Sequence, residues 1–528
     1  MLTDLMSQVF DQSDADQLLG FGRGIEREAL RTTKAGQLSL TAHPSALGEK
    51  LTHPLVTTDF SEAQLELITP VHNSNEAVLH HLKQIHQWTA QRLDGEQLWP
   101  GSMPCALPSD DQIPLAYYGD SNAGRLKTTY RHGLGLRYHR TMQTICAVHY
   151  NFSFNHSFFE RLARLSGHSS LNITAANAFR SERYFGLMRN FRYLAWLPAY
   201  LFGASPAVDN SFIRDPNHDL ERIDEHTFFK PFATSLRSGG LGYQSSTQSD
   251  LLNICFNTLG NYTETLRAGI TTDYAPYQAL TAKSTTRFPQ VNTSILQSEA
   301  EFYSSIRAKA TPPPGHNFLN YLDQVGVGYI EVRLLDINPY LPMGVDLAQL
   351  DFMDLLLAHC MLTDSPQHDD ALCRVVSQNF QGATESGRKP GFNLLRDEQS
   401  IALVDWAAEL FAEFNDLASA LDQIHGDDRY QRCLTELAPR ITNPDLTPSG
   451  QLLSDLHRDG TSFLAHHQAL SDHHHRSCYN DPLQRETELA LDRVAADSKE
   501  AFTKISSNSD DAFDEYLAQY QQAYRSDT

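Results

Sequence analysis

No two cysteines in this sequence stand in a CxxC spacing, and that absence removes two kinds of scaffold at once. The seven cysteines (Cys105, Cys146, Cys255, Cys360, Cys373, Cys433 and Cys478) are scattered and odd in number. They fit neither a disulfide framework nor a structural zinc site, and they suit a reducing cytoplasm. A long hydrophobic run is also missing. The most apolar stretch, Tyr193 to Val208, is broken by Pro198, Gly203 and Pro206, short of the roughly 18 apolar residues of a membrane span. The first residues, MLTDLMSQVFDQSD, carry acids where a signal peptide needs bases, so a cytoplasmic location is expected. Positive charge is scarce: 42 Lys and Arg stand against 64 Asp and Glu, a net charge of −22. That balance counts against attraction to nucleic acid or anionic lipid. An anionic substrate would need metal ions or locally placed basic groups. GxxxxGK[ST] and HExxH are absent, and GFGRGI at 20–25 misses GxGxxG by one residue. The usual phosphate loops and zinc-protease helices are therefore not in play.

What is present describes an ordinary globular chain, with 528 residues, 41% apolar and 20% charged. No internal repeat is visible. Residues 75–93 place Val78, Leu82, Ile85 and Trp88 or Thr89 at helical spacing. Residues 399–424 predict a long amphipathic helix ended by His425-Gly426, and 349–362 a very apolar, buried one. The run Thr311-Pro312-Pro313-Pro314-Gly315 reads as a loop. Beyond about residue 440 the chain turns polar and histidine-rich, then helical and charged, which predicts a helical region packed on the core. Its histidines, His457, His466, His467 and His473 to His475, read as a solvated helix face.

The informative segments read as strands, whose period of two sends alternate side chains to one face. In GIEREALR (24–31), Glu26 and Glu28 share a face and Arg27 points away. In DFSEAQLELITP (59–70), Glu62, Gln64 and Glu66 alternate with Ala63, Leu65 and Leu67. In QTICAVHYNFSF (143–154), His149, Asn151 and Ser153 alternate with Val148, Tyr150 and Phe152. In GYIEVRLLDINP (328–339), Tyr329, Glu331 and Arg333 oppose Ile330, Val332 and Leu334. Four polar faces poor in lysine suggest a curved antiparallel sheet with a charged concave side and helices behind. If the strands are neighbours, Glu26, Glu28, Asp59, Glu66 and Glu331 form one carboxylate cluster. Such a cluster repels itself unless hard divalent cations screen it, and oxygen-rich sites suit Mg²⁺ or Mn²⁺. His149 adds a nitrogen and with it tolerance of Mn²⁺. Each acid taken alone is more often a solvated strand residue, so the alternation by itself leaves both readings open. Arg131, Arg237 and Arg333 are the basic candidates for a nucleotide or carboxylate, through the planar guanidinium fork. Gly239, Gly240 and Gly242 after Arg237 permit close backbone approach.

Ten blocks in order resemble the proteobacterial type of glutamate–cysteine ligase. They include GIEREALR (24–31), TTDFSEAQLELITP (57–70), WPGSMPC (99–105), YGDSNAGRLKTTYRHGL (118–134), MQTICAVHYNFSF (142–154), ATSLRSGGLGY (233–243) and YIEVRLLDINP (329–339). YLFGASPA (200–207), GRKPG (387–391) and NPDLT (443–447) complete the set. The resemblance spans about residues 20–450. It implies a catalytic domain over 1–450 and a C-terminal helical region over 451–528 with no separate function. The implied fold is α+β, an antiparallel sheet curved into a funnel, as in the glutamine synthetase catalytic domain. Glu26, Glu28, Asp59, Glu66, His149 and Glu331 are implied as magnesium ligands, and Arg237 as a glutamate-binding residue. Phe60, Tyr130, Leu134, Tyr243, Tyr303 and Arg333 are implied around cysteine, with Arg333 also beside the transferred phosphoryl group. Cys373 is the one counterpart of further cysteines in the family's C-terminal half. The implied reaction activates the glutamate γ-carboxylate as an acyl phosphate with ATP. The cysteine amine then displaces phosphate, the first step of glutathione biosynthesis, with glutathione as a feedback inhibitor. The alternatives are a related carboxylate–amine ligase with another acceptor, a guanidino phosphotransferase, and a metal-binding protein without catalysis. A bifunctional enzyme that also adds glycine would need a longer chain.

Overall fold

The alternation in GIEREALR becomes the central strand of a sheet. In the computed structural model, residue 9 and residues 20–168, 170–242, 246–252, 254–507 and 512–525 are described. The strands in chain order are β1 (Gly22–Thr32), β2 (Val56–Thr58), β3 (Gln64–Ile68), β4 (Gln97–Leu98), β5 (Val148–Ser153) and β6 (Ala207–Asp209). They continue with β7 (Glu221–Arg222), β8 (Thr227–Phe229), β9 (Ile306–Lys309), β10 (Tyr329–Leu335), β11 (Asn393–Arg396) and β12 (Gln399–Ala402). Seven of them make the main sheet, in the order β2-β3-β1-β5-β10-β9 with β4 added at the end of β1. Its pairings are antiparallel. With the helices around it the fold is α+β.

One face of this sheet is apolar. Ile25 and Ala29 of β1, Leu65 and Leu67 of β3, Val148 and Tyr150 of β5, and Ile330 and Val332 of β10 are all fully buried. Each large side chain so removed from water contributes about 1.5–3 kcal/mol. The helix Leu347–Leu362 is buried continuously from Gln349 to Leu362, as its composition predicts. The helix Asn75–Ala90 starts on a Ser74 cap that accepts from the Ala77 amide, and it buries Val78, Leu82, Ile85 and Trp88. Leu452, Leu453, Leu456 and Phe463, past residue 450, belong to the same hydrophobic core. No helix among the described residues is long and apolar enough to cross a membrane.

Three expectations need correction. The helix predicted from residue 399 starts at Leu403, because Gln399–Ala402 is a strand paired with Asn393–Arg396. The turn between them is Asp397-Glu398, with φ of 49° and 65°, the left-handed geometry a two-residue hairpin requires. The alternation in 59–70 and 143–154 overstates the strands, which begin at Gln64 and Val148. Glu62 lies in the turn before β3, ion-paired to Lys50. The histidine tract is not simply solvated. His467 is 1% exposed and stacks on Trp99 at 5.4 Å and 17°, while His474 is 8% exposed. A neutral imidazole has an apolar body, and here it packs as one.

Candidate active site

Strand register builds the site. Across β1 and β3, Glu28 faces Glu66; across β1 and β5, Glu26 faces His149; across β10 and β5, Glu331 faces Asn151. All six lie opposite the apolar face. Asp59 opens the turn between β2 and β3, its amide bonded to the Gln64 carbonyl at 3.0 Å. The four predicted strand segments are thus neighbours in one sheet.

His149 sits between the acids. Its Nδ1 lies 3.3 Å from Glu26 Oε2 and 3.8 Å from Glu331 Oε1, and its Nε2 lies 3.5 Å from Glu28 Oε1. Asn151 Nδ2 donates to Glu26 Oε1 at 2.8 Å. Glu28 accepts from the Ala147 amide at 2.7 Å. Glu331, 2% exposed, lies 3.2 Å from Arg333 Nη1 and 3.7 Å from Lys309 Nζ. Like-charge crowding shows in the acidities. Burial and then Asp59 push Glu28 up to about 8. Burial and then Glu26, Asp59 and Glu28 push Glu66 well above the carboxylate range. Burial also opposes ionisation of Glu331, but Lys309 and Arg333 beside it overcome that and hold it below its ordinary value.

This donor set fits a divalent cation. Glu26, His149 and Glu331 each offer an atom within 4.8 Å of the others. Glu331 Oε2 is buried with no hydrogen-bond partner, an orphan that a buried carboxylate oxygen rarely remains. Two carboxylates and an imidazole suit Mg²⁺ or Mn²⁺ more than a soft metal.

A cavity opens at each end of the cluster. One, of about 360 Å³, is lined by Glu28, His149, Arg237, Gln248, Tyr303 and Arg333 among others. The second, of about 670 Å³, lies toward the start of β1 and is lined by Gly22, Gly24, Glu26, Asn151, Gly328 and Tyr329 among others. A Cβ on Gly22 would stand 2.5 Å from Ser153 Oγ and displace that hydroxyl.

The remaining candidates divide. Arg237 Nε donates to Asp336 Oδ1 at 2.7 Å and Nη2 to the Arg333 carbonyl at 3.1 Å. The fork expected to grip a carboxylate with both arms is therefore partly committed to the protein. Arg131 turns its guanidinium toward backbone. Its guanidinium bonds the carbonyls of Asp59 and Thr58 and lies 4.5 Å over the Tyr118 ring, so it braces the turn that carries Asp59. Tyr303 lines the smaller cavity, its hydroxyl accepting from Gln143 Nε2 at 3.0 Å. Phe60 and Leu134 pack into the core, and Tyr130 is partly buried against it; none of the three lines that cavity. Tyr243 falls outside the described residues. Cys373 lines the cavity as a free thiol, and all seven cysteines are unpaired.

Sequence reasoning missed Lys309 because β9 is only four residues long. Its only trace is Ile306-Arg307-Ala308-Lys309, where two bases alternate with apolar residues just before the proline run, a pattern too short to read as a strand by itself. Lys127 was missed as well. Its ammonium lies 5.3 Å from the Tyr118 ring, and burial followed by repulsion from Arg131 lowers it to about 8.

An α+β chain whose sheet carries a carboxylate face between two cavities has a solved counterpart. The glutamate–cysteine ligase of Francisella tularensis, solved in complex with AMP, matches with a TM-score of 0.89 at 30% identity, covering 96% of this chain and 98% of that one. A bifunctional glutathione synthetase from Pasteurella multocida shares the fold, with a TM-score of 0.70 at 23% identity over 94% of this chain and 57% of that one. The curated glutamate–cysteine ligase of Azotobacter vinelandii is 43% identical over 504 residues, 96% of this chain and 95% of its own length. Its counterpart in Pseudomonas putida is 42% identical over 94% of both chains. The family model for glutamate–cysteine ligase matches residues 6–383. The chain belongs to the glutamate–cysteine ligase family.

Proposed function

We propose that this protein joins the γ-carboxylate of glutamate to the amino group of cysteine at the expense of ATP, the first step of glutathione biosynthesis. The observation that carries the reading is the placement of the Glu26–His149–Glu331 cluster between two cavities on one sheet face. A phosphoryl group must pass between two bound molecules, and the cluster stands where they would meet. The amino acids belong in the smaller cavity, where Arg237 offers a cation to glutamate and Tyr303 forms part of the wall. The nucleotide belongs in the larger one, whose glycines leave backbone open to a flat, bulky ligand. The Francisella structure, with its AMP, supports a nucleotide on this fold.

In the first step a γ-carboxylate oxygen attacks the terminal phosphorus of ATP, and ADP leaves. In the second the cysteine amine attacks the acyl carbon, loses a proton, and inorganic phosphate leaves. Mg²⁺, held by Glu26, His149 and Glu331 with Glu28, Asp59 and Glu66 around them, would neutralise phosphate charge and align the reactants. Arg333, beside Glu331, presents its guanidinium to the phosphoryl group. Residues 1–450 carry all of these groups, and 451–528 are assigned no activity of their own. Glutathione, which combines both amino-acid substrates, would inhibit by filling their subsites. Seven free cysteines suit a cytoplasmic setting.

The test is ADP release from glutamate, ATP and Mg²⁺, with and without cysteine, with the product identified by mass. Formation of γ-glutamylcysteine supports the reading. Turnover only with another amine acceptor, or a phosphorylated guanidine as product, would replace it.

A further inference from the structure

Three arginines share the apolar side of β1. Arg23, Arg27 and Arg31 are 2%, 1% and 0% exposed. Arg23 lies 2.6 Å from Asp354, and Arg31 lies 2.5 Å from Glu96. Arg27, between them, has no carboxylate partner among the described residues. Its one bond is long, 3.4 Å from Nη2 to the Trp99 carbonyl, and its Nε and Nη1 have no hydrogen-bond partner. Glu28, the carboxylate that acts on it, points to the opposite face and belongs to the cation cluster. A buried guanidinium keeps its charge, and an unpaired buried charge is costly.

A small cavity lies against this side chain. Its volume is about 20 Å³, and it is lined by Arg27, His86, Pro100, Pro342, His474 and Cys478 among others. The neighbouring groups supply no negative charge. Burial pushes the thiols of Cys146 and Cys478 up, and it keeps His86 and His474 neutral. His86 Nε2 is a further buried nitrogen without a partner. The pocket therefore presents orphan nitrogens around a volume that holds one particle of about the size of a water molecule.

We propose that this pocket holds a single monatomic anion, chloride under ordinary conditions, as the counter-ion of Arg27. The ion would sit behind β1, between the strand that carries Glu26 and Glu28 and the helix Phe463–Asn480 that supplies His474 and Cys478. It would tie the C-terminal helices to the back of the catalytic strand. A water molecule could satisfy His474 Nδ1, which is also without a partner, but it would leave the charge uncompensated.

The full chain is crystallised in bromide and its anomalous signal mapped. In parallel, melting temperature is followed as sodium gluconate is replaced by sodium chloride at constant ionic strength. The expected result is a bromide peak within hydrogen-bond reach of Arg27 and a rise of about 1 °C once chloride exceeds its dissociation constant about tenfold, growing with the logarithm of chloride beyond that. The rise should vanish in Arg27→Met and persist in Cys478→Ser. If Arg27→Met does not fold, the bromide map and the wild-type titration decide. A pocket without bromide overturns the proposal. So does a wild type indifferent to chloride, and a response that appears only in Cys478→Ser would name that thiolate as the counter-ion instead.

Discussion

Replacing Glu331 by glutamine removes one charge and almost no volume from the centre of the site. The neighbouring cations set the magnitude of the effect. Glu331 stands 3.2 Å from Arg333 Nη1 and 3.7 Å from Lys309 Nζ. At an effective dielectric constant of about 20, contacts of this length correspond to gross attractions of roughly 4–5 kcal/mol each. Most of that is offset, because burying the carboxylate costs solvation and because Arg333 and Lys309, 17% and 27% exposed, regain water when it is gone. A net loss of about 1–3 kcal/mol in the metal-free protein is the expected remainder. Turnover should fall much further, by roughly 10²-fold or more, the scale of removing one electrostatic stabiliser from a preorganised site. The assay is steady-state ADP release alongside thermal melts with and without Mg²⁺. Ile330→Ala is the control: its side chain is fully buried on the other face, so stability should drop by ~2–5 kcal/mol with turnover per folded molecule kept. Full turnover in Glu331→Gln with an earlier melt would make Glu331 a structural counter-ion and refute the cluster's role.

Arg237→Lys should raise KM for glutamate by about tenfold or more, ~1.4 kcal/mol, and leave KM for ATP nearly unchanged; equal losses would move Arg237 to a phosphate role. EDTA should abolish turnover and Mg²⁺ restore it, and activity in metal-free buffer would sink the ligand assignments. Metal-free protein should also lose stability as pH rises. Glu28 is pushed up from 4.5 to about 8 in the folded state, so its stabilising contribution is present at low pH and lost as pH climbs through that window. Thermal melts across it should show the fall without Mg²⁺ and a smaller one with it. Glutathione should compete with glutamate, and a non-competitive pattern would place it elsewhere.

The site was legible where a period of two did the work. Glu26 and Glu28, His149, and Glu331 and Arg333 fall on one face because β1, β5 and β10 are long enough for alternation to register. β9 is four residues long and offers too few alternations to be seen, so Lys309 was lost with it. The β11–β12 hairpin was hidden because Asp397-Glu398 turns without the glycine or asparagine that usually marks such geometry. Arg131 was legible as a base but its partners were not: a guanidinium suits carbonyl oxygens as well as phosphate, and residue type cannot say which it will meet. The histidines of the C-terminal helix failed for a related reason. Neutral imidazole passes as a flat hydrophobe, and a partner such as Trp99 lies hundreds of residues away.

The alternation that gathers the acids has a cost on the other face. A strand reading Arg23, Glu26, Arg27, Glu28, Arg31 cannot present its glutamates without sending its arginines into the core. Each buried arginine then demands an answer from elsewhere in the chain. Asp354 answers Arg23 from the apolar helix Leu347–Leu362, and Glu96 answers Arg31 from the loop before β4. The wall around Arg27 needs His474 and Cys478 from beyond residue 450. Phe463 and His467 close over Trp99 on the same helix. The helix Phe463–Asn480 therefore stands off the catalytic face and helps wall the buried side of the strand that carries it.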